Sequence, residues 1–165
     1  MILVVVLVLV ALQRSGELLY ARRNTRALLA LGAREVAPEQ HAFFIALHLA
    51  WLISLAIFIP YNRVPNWWLI GVFFVLQVLR LWILATLGSY WTTRIITMPN
   101  TQLIRRGPYR IMRHPNYAIV VAEVLVLPLA FGSWMIAAVF TILNAMLLTW
   151  RIRAEDAALL PRREL

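Results

Sequence analysis

Two short polar segments hold most of the side chains that could do chemistry in this chain. Residues 105–117 read RRGPYRIMRHPNY and combine four arginines, one histidine and two tyrosines. Residues 151–156 read RIRAED, in which Arg151 and Glu155 are four apart and would share one face of a helix. A guanidinium orients an anionic substrate, and a carboxylate binds a cofactor or moves a proton. The alternative interpretation is a solvated ion pair at a helix end.

The rest of the chain is apolar enough for a membrane. Of its 165 residues, 62% are hydrophobic, and the mean hydropathy is +0.78. This composition excludes a disordered chain and disfavours a soluble globular domain. All 16 basic residues are arginines, and they lie mainly between apolar runs, as in loops that obey the positive-inside rule. We therefore expect membrane lipids, and no nucleic acid, as partners. The absence of cysteine excludes disulfides and thiolate chemistry.

Five apolar runs predict an all-α integral membrane protein with a single domain over residues 1–165. A span needs about 20 mostly apolar residues. The predicted helices cover residues 1–20, 42–59, 67–87, 116–131 and 134–150. The first run lacks a preceding basic segment, so it is interpreted as a retained helix and not as a signal peptide. The last two runs are short and separated by Gly132-Ser133, which predicts a tight helical hairpin.

The charges of the loops set the expected orientation. Loops 20–41 and 88–117 and the segment after residue 150 are rich in arginine, whereas the other two loops hold only Arg63. The positive-inside rule then places the N-terminus outside and the arginine-rich segments in the cytoplasm. The helical hairpin would bring residues 109–117 close to residues 151–156 at the cytoplasmic mouth of the bundle.

Several charged residues lie inside predicted spans, where a charge is costly and usually faces a bundle interior or a cavity. Arg14 and Glu17 are three apart and could pair on one helix face. Glu123 has two interpretations. It lines a substrate pocket together with Arg80, or it forms a buried pair with Arg80 or Arg14.

Isolated histidines and tyrosines have both a structural and a functional interpretation. Pro115 suits the first turn of a helix and would aim His114 at the mouth of the bundle, although a lone histidine is more often a surface or packing residue. Tyr109 and Tyr117 would either anchor the interface or stack on a planar ring. His41 and His48 could share a helix face, but few carboxylates lie nearby and we expect no metal site. The chain has no GxGxxG or P-loop motif for a nucleotide.

The combined pattern resembles the isoprenylcysteine carboxyl methyltransferase family. It consists of GPYR at 107–110, RHPxY at 113–117, an apolar hairpin and RxRxED at 151–156. The likeness extends to a small bacterial branch that shares LGxYWTT at 87–93, two isoleucines at 95–96 and Glu123. That branch includes alkylpyrone and phenolic-lipid O-methyltransferases associated with type III polyketide synthases. The resemblance covers residues 80–159 well and the first two helices loosely.

The resemblance implies a membrane-embedded methyltransferase that uses S-adenosylmethionine without a Rossmann fold, at the cytoplasmic face. Arg151 would act at the methyl-transfer point, with Glu155 as a second catalytic residue. The cofactor would be held by Leu103, Ile104, Tyr109, His114, Pro115, Tyr117 and Glu155. Family members commonly continue with an aromatic-rich tail, whereas this chain reads PRREL at 161–165, so a lid from that tail is expected to be reduced or missing.

The resemblance also implies a lipophilic acceptor that enters from the bilayer, either an isoprenylcysteine-type carboxylate or a phenolic or pyrone lipid. A carboxylate is already ionised at pH 7 and needs only orientation by Arg151, whereas a phenol would give Glu155 or His114 a role as base. The bacterial branch suggests an inner-membrane location and a functional link to a polyketide synthase.

Two other functions stay open. Membrane sterol reductases carry a similar RHxNY segment followed by an acidic residue, which would make the protein an NADPH-dependent reductase, although those chains are much longer. The charged residues within the spans could instead form a polar path in a non-enzymatic transport or assembly component. Against this, the sequence shows no internal repeat of the kind that many transporters carry.

Overall fold

The structure is a computed structural model that describes residues 1–99 and 101–160. Within these residues, the α-helices are α1 (Ile2–Ala30), α2 (Glu39–Phe58), α3 (Trp67–Leu87), α4 (Pro115–Ala130) and α5 (Trp134–Leu159). Two short 3-10 turns cover Gly88–Tyr90 and Gly107–Arg110. The strands β1 (Arg34–Val36) and β2 (Ile95–Thr97) form an antiparallel pair.

The predicted helical membrane architecture is confirmed, but the five predicted spans are not equivalent. Among the described residues, α1, α2, α3 and α5 are long and apolar enough to cross a membrane. Helix α4 has 16 residues, so it is about 24 Å long at 1.5 Å per residue. This is less than the hydrocarbon core of about 30 Å. Proline at its first position and the turn after Phe131 limit its length.

Besides the predicted helices, the described residues form a small sheet at the end of the bundle that the sequence did not predict. Glu35 of β1 lies opposite Ile96 of β2. Arg94, one residue before β2, donates to the Glu35 carboxylate at 2.7 Å. Each strand has only three residues, so no alternation of polar and apolar residues marks them in the sequence. The ion pair and the backbone ladder together stabilise this contact.

Two helices extend beyond their predicted ends. Helix α1 continues from residue 20 to Ala30, and α5 continues from residue 150 to Leu159. The predicted loop 20–41 is therefore largely helical. Asn24 explains the extension of α1, because its amide donates to the carbonyl oxygens of Gly88 and Trp91 at 3.1 and 2.9 Å. This polar stretch of α1 packs against another part of the chain and does not form a solvated loop.

The connections between helices lie at two opposite ends of the bundle. At one end, the Met1 ammonium donates to the carbonyl oxygen of Tyr61, and the amide of Asn66 donates to the carbonyl oxygen of Ala130. The other end holds residues 31–38, 88–99 and 101–114 and the last turns of α5. We call it the arginine-rich end, because the described loop arginines other than Arg63 belong to it.

The apolar core is built around α4. Its residues Val120, Val124 and Leu127 are buried among side chains from all four longer helices, such as Trp51 of α2 and Phe140 of α5. Many apolar side chains on the outer faces of the longer helices are exposed, as a lipid environment requires. The short helix is therefore the centre of the bundle, and the longer helices surround it.

An ionic cluster of Arg14, Glu17, Arg80 and Glu123 crosses this interior and joins α1, α3 and α4. Arg80 binds Glu17 through two hydrogen bonds of 2.6 and 2.7 Å. Arg14 Nη2 lies 2.6 Å from a Glu123 oxygen, and Arg14 Nη1 lies 3.1 Å from Glu17. Arg80 Nη1 also lies 3.4 Å from Glu123. The predicted pairing of Arg14 with Glu17 is confirmed, and Glu123 follows the buried-pair interpretation.

Removing one member of the ionic cluster should destabilise the fold strongly. In Glu17→Leu, Arg80 keeps only its longer contacts of 3.4 Å to Glu123 and Asn116, and an uncompensated buried charge costs about 3–5 kcal/mol. Thermal unfolding in detergent micelles should then begin at a clearly lower temperature. The double variant Glu17→Leu/Arg80→Leu removes one charge of each sign and leaves the pair of Arg14 and Glu123, so it should recover most of the loss. A double variant as unstable as the single one would contradict this account.

Candidate active site

A cavity of about 830 Å³ lies at the arginine-rich end and extends between the helices. Its walls come from α1, α2, Arg80 of α3, the segments 87–98 and 102–105, the start of α4 and the end of α5. Volumes of this size are typical of small-molecule sites. The residues predicted from the sequence that line it are Arg80, Leu103, Ile104, Tyr109, His114, Tyr117, Arg151 and Glu155.

Two predicted site residues lie elsewhere. Pro115 borders a smaller apolar cavity of about 290 Å³ between α3 and α4, and it begins the helix that carries Tyr117. Glu123 does not line the large cavity, since it is 1% exposed and binds Arg14 and Arg80. Neither residue lines the large cavity: Pro115 is linked to Tyr117 by the backbone of α4, and Glu123 is linked to the cavity wall by the arginines that it binds.

A chain of polar contacts connects the start of α4 to the end of α5. Arg151 Nε donates to the Tyr117 hydroxyl at 2.8 Å, and this hydroxyl donates to Glu155. The His114 ring stacks on Tyr117 with centroids 5.2 Å apart, and its Nε2 lies 3.3 Å from Asp156 Oδ1. The proximity of these segments, which the helical hairpin predicts, is confirmed. The sequence also allowed a solvated ion pair between Arg151 and Glu155. The structure shows no such direct pair, because the Tyr117 hydroxyl lies between the two side chains.

Arg151 is fixed from several sides. Besides Tyr117, its guanidinium donates to the Thr93 carbonyl oxygen at 3.0 Å and lies 5.2 Å from the centre of the Phe44 ring. The residue is only 7% exposed, and within the described residues no carboxylate forms an ion pair with it. A buried, rigidly held cation of this kind is suited to bind and orient an anionic group.

The lining as a whole is positively charged. Two glutamates, Glu17 and Glu155, line the cavity. The arginines that line it are Arg14, Arg80, Arg94, Arg105, Arg113 and Arg151. The surplus of arginine over glutamate favours a ligand with an anionic group. At the inner end this surplus is cancelled, because Arg14 and Arg80 pair with Glu17 and Glu123.

Tyr109 reaches the cavity from the 3-10 turn Gly107–Arg110. The turn is closed by a hydrogen bond from the Tyr109 amide to the carbonyl oxygen of Arg106. Gly107 has a φ of +56°, and a β-carbon at this position would lie 2.8 Å from Thr86 Oγ1. Burial, and secondly the charge of Glu155, raise the pKa of the Tyr109 phenol. The phenol therefore stays protonated and remains a hydrogen-bond donor near neutral pH.

The contribution of α2 was missed in the sequence. His41, Phe44 and His48 all line the cavity, and their spacing of three and four residues places them on one face of α2. The sequence showed that His41 and His48 could share one face of α2, but it did not link that face to the cavity that holds Arg151. The link is the contact of Phe44 with Arg151, and a phenylalanine in an apolar helix gives no signal of such a role.

Comparisons with known proteins identify one family and two uncharacterized relatives. Residues 69–161 match the model of the isoprenylcysteine carboxyl methyltransferase (ICMT) family. The uncharacterized protein YpbQ of Bacillus subtilis (strain 168) is 39% identical over 151 residues, which cover 89% of this chain and 90% of that protein. An uncharacterized protein of Haemophilus influenzae is 24% identical over 143 residues, which cover 83% of each chain. No solved structure matches the chain significantly.

Gly107→Ala should destabilise the turn that presents Tyr109. A side chain with this positive φ costs about 1–3 kcal/mol, and Thr86 must also move. Hydrogen exchange at the Tyr109 amide should become faster, and the unfolding temperature should fall. Gly71→Ala is the matched control, since a β-carbon on this helical glycine meets no atom within 4 Å. Equal behaviour of the two variants would show that the turn tolerates a side chain.

Proposed function

This chain belongs to the isoprenylcysteine carboxyl methyltransferase family, and from that premise we propose that it is an S-adenosylmethionine-dependent O-methyltransferase acting on a lipophilic acceptor. The observation that carries the proposal is the buried guanidinium of Arg151. It lies beside Glu155 in the wall of a large cavity, and Tyr117 connects the two side chains. Such a wall offers a cationic and an anionic group to two different reactants.

The residues at the arginine-rich end fit S-adenosylmethionine, which when bound supplies an electrophilic methyl group on a cationic sulfur. Leu103 and Ile104 offer apolar contacts for a planar base, and Tyr109 offers a hydroxyl donor. The Glu155 carboxylate and the aromatic ring of Tyr117 favour a positive charge. These residues, together with His114, hold the cofactor in our proposal, while Pro115 fixes the start of α4 beneath them.

Arg151 orients the acceptor oxygen in this proposal. Alignment of reacting groups in a near-attack geometry contributes about 7–11 kcal/mol in well-oriented reactions, and the contacts to Thr93 and Phe44 keep the guanidinium in one position. A carboxylate acceptor needs nothing further. A phenol or hydroxypyrone must lose a proton, and Glu155 or His114 would accept it.

The acceptor reaches the site from the lipid in our proposal, between α1 and α2. The cavity lining includes the stripes Ala11, Ser15 and Leu18 on α1 and Ile45, Leu49 and Leu52 on α2. Leu49 is 55% exposed on the outer surface, so the cavity borders the lipid-facing side of the bundle here. Leu49 lies ten residues into α2, about 15 Å from its start, which is well inside the apolar layer.

We place the arginine-rich end in the cytoplasm and the N-terminus outside, in a bacterial inner membrane. The asymmetry of the loop arginines supports this orientation, and it exposes the cofactor side of the cavity to the compartment that contains S-adenosylmethionine. A polyketide synthase encoded beside this protein would favour a phenolic or pyrone lipid as acceptor over a carboxylate.

Arg151→Ala should reduce methyl transfer by roughly 10²–10³-fold, the usual effect of losing one transition-state donor. Binding of S-adenosylmethionine, measured by titration calorimetry in nanodiscs, should stay nearly intact. Arg153→Ala is the matched control on the same helix, because Arg153 is exposed. Unchanged turnover in Arg151→Ala would overturn its assigned role. Saturable binding of NADPH without binding of S-adenosylmethionine would favour a reductase, and binding of neither would favour a non-enzymatic component.

Leu49→Trp should obstruct the entrance between α1 and α2. The KM for a lipid acceptor should rise severalfold, while the affinity for S-adenosylmethionine stays the same, because the cofactor enters from the arginine-rich end. Ala46→Trp places the same ring on an exposed position of α2 outside the cavity lining and should have little effect. An equal rise of KM in both variants would contradict entry at Leu49.

A further inference from the structure

We propose that His48 forms a second binding site at the inner end of the cavity, and that this site takes an uncharged hydroxyl group of the acceptor. The inference rests on the proposed function in one respect only, that the cavity receives a lipophilic acceptor. It adds a requirement on that acceptor, which must carry a second polar group besides the oxygen that is methylated.

The hydrogen bonding of His48 determines what its free nitrogen can do. His48 Nδ1 lies 2.8 Å from the carbonyl oxygen of Phe44. A carbonyl oxygen only accepts, so Nδ1 must carry the proton. In a neutral imidazole, Nε2 then has a lone pair and accepts a hydrogen bond. Within the described residues Nε2 has no partner, and the side chain lines the cavity. A hydrogen-bond donor is therefore what this position lacks.

The neighbouring Arg14 does not fill this position. Its two terminal nitrogens bind Glu17 and Glu123, and its Nε–H is buried too deeply for a ligand atom to reach it. The donor that His48 Nε2 lacks therefore comes from the ligand in this proposal, and a hydroxyl group of the acceptor can supply it.

The charge balance at the inner end argues against a second anion. Arg14 and Arg80 carry two positive charges, and Glu17 and Glu123 carry two negative charges within hydrogen-bonding distance. The ionic cluster is therefore neutral as a unit. At the mouth, by contrast, Arg151 has no paired carboxylate among the described residues. The two ends of the cavity select different groups, an anionic or ionisable oxygen at Arg151 and a neutral hydroxyl at His48.

Phe44 and His48 lie on one face of α2, about 6 Å apart along the helix axis. Phe44 contacts Arg151, so the two binding positions share this side of the cavity. In this proposal both oxygens of the acceptor belong to the same polar head. The alkyl tail leaves through the apolar stripes between α1 and α2.

A matched pair of probes tests the site. Both are alkylphenols with the same long chain, and one carries a second ring hydroxyl in the meta position. In nanodiscs, the wild-type protein should bind the dihydroxy probe about three- to tenfold more tightly, as one hydrogen bond contributes. His48→Phe keeps a ring but has no acceptor, so it should bind the two probes equally. His48→Gln offers an amide oxygen and should restore part of the preference. Thermal unfolding of each variant checks that the fold is intact.

The outcomes separate this inference from the proposed function. Equal affinity of the wild-type protein for both probes would overturn the second site, even if both probes are methylated. The same conclusion would follow if His48→Phe folds normally and keeps the full preference. A preference that depends on His48, without methylation of either probe, would support the second site and count against O-methylation of phenols. Because the wild-type comparison needs no variant, a failure of His48→Phe to fold does not block the test.

Discussion

Charges inside an apolar bundle must be matched by opposite charges, and this constraint fixes the arrangement of α1, α3 and α4. Each of these helices contributes at least one member of the ionic cluster. A shift of one helix by a single turn would separate Arg80 from Glu17 by about 5 Å. The resulting unpaired charges in a low-dielectric interior are far more costly than the loss of some apolar contacts. The cluster therefore sets the helix register and, with it, the depth of the cavity above it.

The chain of polar contacts from Arg151 through Tyr117 to Glu155 depends on this helix register, because Tyr117 belongs to α4. Pro115 starts α4 at the arginine-rich end, and two residues later the helix presents Tyr117 toward α5. Helix α5 returns from the opposite end and continues past the bundle core, so that Arg151 and Glu155 reach the same level as Tyr117. A short central helix and a long final helix thus bring side chains together that are more than thirty residues apart in sequence.

The sequence predicted those parts of the site that depend on local patterns. The apolar hairpin predicted the contact between residues 109–117 and 151–156, and helical spacing predicted the pair of Arg14 and Glu17. It failed where a distant partner decides the structure. The stretch around Asn24 looks like a basic loop, yet its hydrogen bonds to the turn at Gly88 keep it helical. In the same way, the role of Phe44 follows from its contact with Arg151 in the folded bundle, and no local residue pattern contains that information.

The position of the Tyr117 hydroxyl has a consequence for how the cavity wall carries charge. An arginine and a glutamate four residues apart on one helix would ordinarily neutralise each other by direct contact. The phenol acts as an uncharged spacer that occupies one hydrogen-bonding position on each of them. The Arg151 guanidinium and the Glu155 carboxylate therefore each keep further hydrogen-bonding positions for a ligand. The wall is thereby a fixed electric dipole, with its positive and negative poles one helical turn apart, and it is oriented before any ligand arrives.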